Sequence, residues 1–219
     1  MIDDRARHKK NLFLIIGPGC LLLLLLFFPR SGLAAEASPT AVDFEESPWA
    51  ITLYNGIHAK RTLGESIFEI PGDLEDNYLH GLGVTRKIRQ LPYHLSLEFE
   101  GMFIKHQGEH DQGYQDYEEY IPVLLLRYDH FPWNEQIHTS LAVGEGLSLT
   151  SQVPEREAQI HGHSQRLLNY LAVELALTAP ACPRYSLVYR IHHRSGVYGL
   201  FGGVTGASNF YVLGLRLRF

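Results

Sequence analysis

The chain has 219 residues, 45% hydrophobic, 11% aromatic and 20% charged, and its 24 acidic against 19 basic side chains give a formal charge of −5. That balance excludes the basic groove of a nucleic-acid-binding protein. A mean hydropathy of −0.10 excludes a bundle of membrane helices unless the apolar residues are concentrated locally.

They are concentrated at the start. Arg5, Arg7, Lys9 and Lys10 precede an apolar run from Leu12 to Phe28, centred on Leu21–Leu26. A basic stretch followed by an apolar one reads as a secretory signal peptide. Ala34, Ala35 and Ala37 place cleavage after Ala35 or Ala37, which makes residues 1–37 the signal, 38–47 a polar linker and 48–219 the folded domain. The alternative is an uncleaved anchor, because the run exceeds the length usual for such a segment. Cys20 lies too early to be a lipoprotein cysteine. After cleavage Cys182 is the only cysteine, so no intrachain disulfide forms.

Past the linker, apolar residues recur with a period of two over eight segments, near 48–60, 77–90, 93–106, 117–130, 137–152, 166–179, 185–195 and 207–219. These exceed the ordinary globular strand and suit tilted strands that cross a bilayer. In the third segment Leu95, Leu97, Phe99 and Phe103 oppose Ser96, Glu98 and Glu100. In the sixth, Leu167, Leu171, Val173, Leu175 and Leu177 oppose Tyr170, Glu174 and Thr178. In the last, Tyr211, Leu213, Leu215, Leu217 and Phe219 oppose Arg216 and Arg218. A lipocalin-like carrier turns its apolar row inward and a membrane barrel turns it outward; alternation alone does not separate them.

The connections do. Short turns at Leu91-Pro92, Phe131–Gln136 and Pro180–Arg184 alternate with longer loops after strands 1, 3, 5 and 7. This predicts an all-β fold, an eight-stranded antiparallel transmembrane β-barrel of the bacterial outer membrane with both termini in the periplasm. The terminal Phe219 resembles the signal read by the outer-membrane assembly machinery. Eight strands leave room only for side chains, so Glu98, Glu100, Glu174, Arg190 and Arg216 are expected to fill the lumen with paired charge. Arg127 and Glu145 fall on rows otherwise assigned to lipid, which predicts a bulge near Gly144 or a misjudged strand.

Twelve histidines invite a search for chemistry, yet HExxH, CxxC, GxSxG and P-loop motifs are absent. His-x-Ser occurs three times. His94/Ser96 and His138/Ser140 begin strands 3 and 5 and are expected in the lumen or at its rim. His193/Ser195 lies at the far end of strand 7 and continues the row of Tyr185, Leu187, Tyr189 and Ile191 that should meet lipid. Two strand residues at i and i+2 share a face, and an imidazole beside a hydroxyl is the minimum needed to activate a serine.

The segment Tyr189-Arg190-Ile191-His192-His193-Arg194-Ser195-Gly196, followed by a glycine-rich loop and a final strand, resembles the His-x-Ser region of the lipid A 3-O-deacylase (PagL) family. A looser likeness runs through Ile121–Leu125 and Leu141–Leu147. The resemblance implies an outer-membrane esterase that removes an ester-linked acyl chain from lipid A of lipopolysaccharide, with Ser195 as nucleophile and His193 as general base. Two positions depart from the family pattern. Gly196 stands where the family has asparagine, leaving the Gly196 backbone or the following loop as oxyanion candidate. Asn209, with Ser208 beside it, stands where the family has a glutamate; an asparagine orients an imidazole but does not stabilise an imidazolium by charge.

This chemistry calls for no cofactor and no metal. Glu109, His110, Asp111, Asp116, Glu118 and Glu119 read as a solvated outside loop rather than a divalent-cation site. His161 and His163 lack matching ligands for zinc. Gly199, Gly202, Gly203 and Gly206 supply turns, and Trp49 and Trp133 read as interfacial girdle residues. The expected partners are lipid A and the assembly machinery, with no nucleic acid. The alternative function is a non-catalytic barrel that binds lipid or presents its loops to a partner.

Overall fold

The computed structural model describes residues 48–69, 72–110 and 113–219. The expected signal, its cleavage site and the expected linker lie outside the described residues. Eight strands form one closed antiparallel barrel: β1 (Trp49–Ala59), β2 (Leu74–Leu91), β3 (Leu95–His110), β4 (Gly113–Tyr128), β5 (His138–Thr150), β6 (Leu167–Thr178), β7 (Tyr185–Ser195) and β8 (Ala207–Arg218). Closure joins β1 to β8 from Ala50↔Arg218 to Ala59↔Asn209, and the Phe219 amide donates to the Trp49 carbonyl at 3.0 Å. Among the described residues no strand edge is left unpaired, which an apolar surrounding requires.

The two faces are inverted relative to a water-soluble barrel. Leu53, Leu82, Phe99, Phe103, Leu124, Leu126, Val143, Leu187, Leu213 and Leu215 project outward and uncovered. Glu100, Glu174, Arg127, Arg190 and Arg216 lie inside at 2% exposure or less. Charge within and an apolar belt without are the arrangement of a transmembrane barrel, in which lipid covers the belt. Trp49 and Trp133, with Tyr93 and Tyr185, are exposed near the end that holds Pro48 and Phe219, as girdle residues would be.

The lumen is filled by a charge network centred on Glu174. That carboxylate accepts from Arg127 Nη2 at 2.8 Å, Arg190 Nε at 3.0 Å and Arg216 Nη2 at 2.9 Å. Arg127 also reaches Glu98 and Ser140, and Arg190 reaches Glu100 at 2.7 Å. Arg127 is thus a lumen residue. Ile121, Val123 and Leu125 share its inward row while Leu124 and Leu126 face out, so this stretch is apolar on both faces and its alternation was unreadable.

Glu145 does lie on the outward row, between Val143 and Leu147. The expected bulge near Gly144 does not occur: β5 pairs with β6 in unbroken register from His138↔Thr178 to Leu149↔Leu167. Register shifts instead at Ile57/His58 in β1 and Lys87/Arg89 in β2. The long loop expected after strand 3 is also corrected, since β3 continues to His110 and β4 begins at Gly113. Glu109 and Asp116 are therefore strand residues, Asp111 lies outside the described residues, and Asp116 and Glu118 pair with Lys105. Glu119 is buried in the lumen.

Two short helices occupy the loop end. α1 (Leu63–Phe68) starts in a capping box, where Thr62 Oγ1 accepts from the Glu65 amide and Glu65 accepts from the Thr62 amide at 2.8 Å. Donation from the Thr62 amide and hydroxyl holds the Glu65 carboxyl below its usual range. α2 (Glu155–His161) ends on Gly162 at φ 72, the left-handed position glycine favours. α2 seals the lumen: Arg156 pairs with Glu75 and lies 2.9 Å from His58 Nε2, while Glu157 accepts from Arg194, Ser164 and Ser208.

Candidate active site

β7 and β8 place the reactive candidates opposite one another. The register pairs His193↔Asn209 and Ser195↔Ala207, and the inward row of β7 holds Arg190, His192 and Arg194. His193 and Ser195 therefore continue the outward row of Tyr185, Leu187 and Tyr189. Asn209 shares the outward row of β8 with Tyr211 and Leu213; Ser208 turns inward to Glu157.

The imidazole is oriented by a chain of two hydrogen bonds. Asn209 Nδ2 donates to the Arg61 carbonyl at 2.6 Å, and His193 Nδ1 lies 2.7 Å from Asn209 Oδ1. A backbone carbonyl only accepts, so it fixes which end of the amide is NH2. The amide oxygen then faces Nδ1, which must carry the proton. Nε2 is left with its lone pair, the form of a general base. The anchoring carbonyl belongs to the β1–β2 connection, whose Arg61 side chain pairs with Glu69 and Asp73.

α1 packs on β7 and β8 from outside. Its Leu63 joins an outer cluster of Ala59, Ile191, Tyr211, Ile57 and Tyr189, and His193 is only 8% exposed. Ser195, one residue pair nearer the rim, is half-buried. Among the described residues no hydrogen bond joins His193 to Ser195. The role of the β1–β2 segment is not legible in the sequence, because nothing in Arg61 as a residue type announces that its carbonyl anchors an asparagine distant in sequence.

Of the two oxyanion candidates, the Gly196 N–H already donates to the Gly206 carbonyl at 3.2 Å, which leaves the following loop. Gly196 is also a close-packing point, where a Cβ would collide with the Val204 carbonyl oxygen. The next two residues, Val197 and Tyr198, are held at φ 47 and 53, a costly conformation for a β-branched valine. No described residue accepts their amides. Gly196→Ala should displace the β7–β8 loop and cost about 1–3 kcal/mol; equilibrium unfolding in detergent, with proteolysis mapping the loop, checks this.

The other His-x-Ser pairs lie where expected. Ser96 and Ser140 are buried in the lumen, Ser140 accepts from Arg127 Nη1 at 3.0 Å, and His94 stacks on His130 with ring centroids 3.8 Å apart. His94, Ser96 and His138 line a cavity of about 280 Å³ at the terminal end, with Glu98, Asp129 and Arg218. His161 and His163 lie near the Ala207 and Gly202 carbonyls, at 3.0 Å each, and so clamp the loop.

No protein-family model matches the chain, and no curated protein matches its sequence. Solved structures similar in fold include Neisserial surface protein A, at 13% identity and a TM-score of 0.47, covering 78% of this chain and 97% of that one. The outer membrane enzyme PagL is 13% identical with a TM-score of 0.45, covering 77% and 99%. The Yersinia pestis outer membrane protein Ail is 16% identical with a TM-score of 0.40, covering 80% and 100%.

Proposed function

We propose that the chain is an outer-membrane esterase that removes an ester-linked acyl chain from lipid A of lipopolysaccharide. Ser195 is the nucleophile, His193 the general base and Asn209 the residue that orients the base. The observation that carries this reading is the His193 tautomer fixed by Asn209 on the outward row, beside a serine. Acyl chains of a lipid substrate lie against that row without leaving the membrane. In this reading the termini face the periplasm, the loop end faces outward, and the final strand ending in Phe219 engages the assembly machinery.

In the reaction, Nε2 of His193 takes the Ser195 proton as Oγ attacks the ester carbonyl. The developing oxyanion meets the amides of Val197 and Tyr198, the donors that the left-handed turn leaves unused. His193 returns its proton to the leaving sugar hydroxyl, and water releases the fatty acid from Ser195. Nε2 meets Oγ only after a side-chain rotation, and α1 must shift for an acyl chain to reach the pair.

The burial of His193 beneath α1 favours the rival reading, a non-catalytic barrel that holds lipid or presents its loops. A fluorophosphonate probe separates the two. Purified barrel in micelles containing lipid A should become labelled at Ser195, mapped by peptide mass spectrometry, and His193→Ala should lose the label. Folded wild-type protein with an unlabelled Ser195 supports the non-catalytic barrel.

A further inference from the structure

His192 and His193 are neighbours in sequence but face opposite sides of the wall, and the inward one belongs to a separate constellation. His106 on β3, Glu119 on β4 and His192 on β7 converge within the lumen. His106 Nε2 lies 2.6 Å and His192 Nε2 3.2 Å from Glu119 Oε2, and one ligand-capable atom from each residue lies within 4.8 Å of the others. The three side chains are fully buried. Ser148 Oγ holds the other carboxylate oxygen at 2.5 Å.

The charge pattern marks this layer as different from its surroundings. Glu100, Glu174 and Glu157 each meet a guanidinium in the lumen, whereas Glu119 meets imidazoles and a hydroxyl. A carboxylate this deeply buried requires a positive partner. Two ring nitrogens of the same cluster, His106 Nδ1 and His192 Nε2, have no hydrogen-bond partner although buried. His192 Nε2 is close enough to Glu119 for an ion pair but is not aligned for a hydrogen bond, so it points into the cluster without a donor or acceptor of its own.

We propose that His106, Glu119 and His192 form a lumenal binding site for a divalent transition metal, with zinc as the ion their chemistry fits. Two imidazole nitrogens and one carboxylate oxygen are a recurrent zinc donor set. Ligand atoms at about 2.0–2.1 Å from zinc in a tetrahedron stand roughly 3.4 Å apart, so small side-chain rotations from the present spacing suffice. The cation supplies the charge Glu119 lacks, Ser148 holds the carboxylate in place, and one coordination position remains for water. Because β7 lies across the barrel from β3 and β4 in strand order, the ion ties opposite walls of the lumen together.

The test uses untagged barrel refolded in detergent, stripped with chelator and titrated with zinc chloride by calorimetry, with bound metal counted by mass spectrometry. The chain has twelve histidines, so a His161→Ala/His163→Ala double variant controls for binding at the loops. Wild type and loop variant should each bind one zinc. His106→Gln and His192→Gln should weaken binding about 100-fold or more, beyond the effect of losing an outer partner of a ligand. Failure of the wild type to bind one equivalent overturns the proposal, as does binding that survives both glutamine variants. Should those variants not fold, cobalt in the folded loop variant decides. Paramagnetically shifted ring signals from two histidines support the site, and their absence contradicts it.

Discussion

Glu174→Ala should destabilise the barrel by about 3–5 kcal/mol, the cost of removing one partner from a buried ion network. Glu174 is 0% exposed and accepts from three guanidiniums on β4, β7 and β8. Its loss leaves Arg127 with Glu98 and Arg190 with Glu100, but Arg216 with only the Thr52 hydroxyl at 3.1 Å. An uncompensated buried guanidinium is the large term. Glu145 provides the internal contrast, because it also carries a carboxylate in mid-strand but faces lipid. Glu145→Leu should leave the barrel as stable or more so, since a charge on the lipid face is itself unfavourable. Urea unfolding in lipid vesicles, followed by tryptophan fluorescence, measures both; equal effects would show that the two carboxylates share an environment.

Ser195→Ala should abolish ester hydrolysis, with a fall of about 10⁴-fold or more in kcat, and His193→Ala should fall about as far. The double variant should be no worse than either single one, because the two groups act as a unit. Asn209→Ala removes only the orienting bond and frees the imidazole to take either tautomer, so its loss should be smaller, about 10–100-fold. Stability is a useful parallel readout for Asn209, whose amide also ties the β1–β2 connection to β8 through the Arg61 carbonyl. Loss of activity with an unchanged unfolding midpoint indicates orientation, whereas loss of both indicates that the anchor itself failed.

The strands were legible because period-two alternation with charge opposite leucine admits few other folds, as in β6 and β8. Legibility ended where both faces are apolar. Ile121–Leu126 shows no alternation, and only the backbone reveals that Arg127 extends the inward row. It ended again at the hairpin joining β3 and β4, where polar residues that read as a loop continue two strands past the apolar belt. For the site, the facing of His193, Ser195 and Asn209 followed from counting residues along β7 and β8. The neighbouring lumenal cluster did not, since His106, Glu119 and His192 lie on three strands and meet only when the barrel closes. Nor does the sequence separate the Gly196 amide from those of the following loop as oxyanion donors: the Gly196 amide is consumed by Gly206, a partner set by the loop's path.

If, as proposed, the outward His193/Ser195 pair cleaves an ester of lipid A, lipid A itself reports on it. Mass spectrometry of lipid A should be compared for cells that express equal amounts of folded wild type, Ser195→Ala or Ser140→Ala. Wild type and Ser140→Ala, whose serine lies in the lumen, should each remove one hydroxyacyl chain, and Ser195→Ala should leave lipid A intact. Intact lipid A in all three, or deacylation that persists in Ser195→Ala, would contradict it.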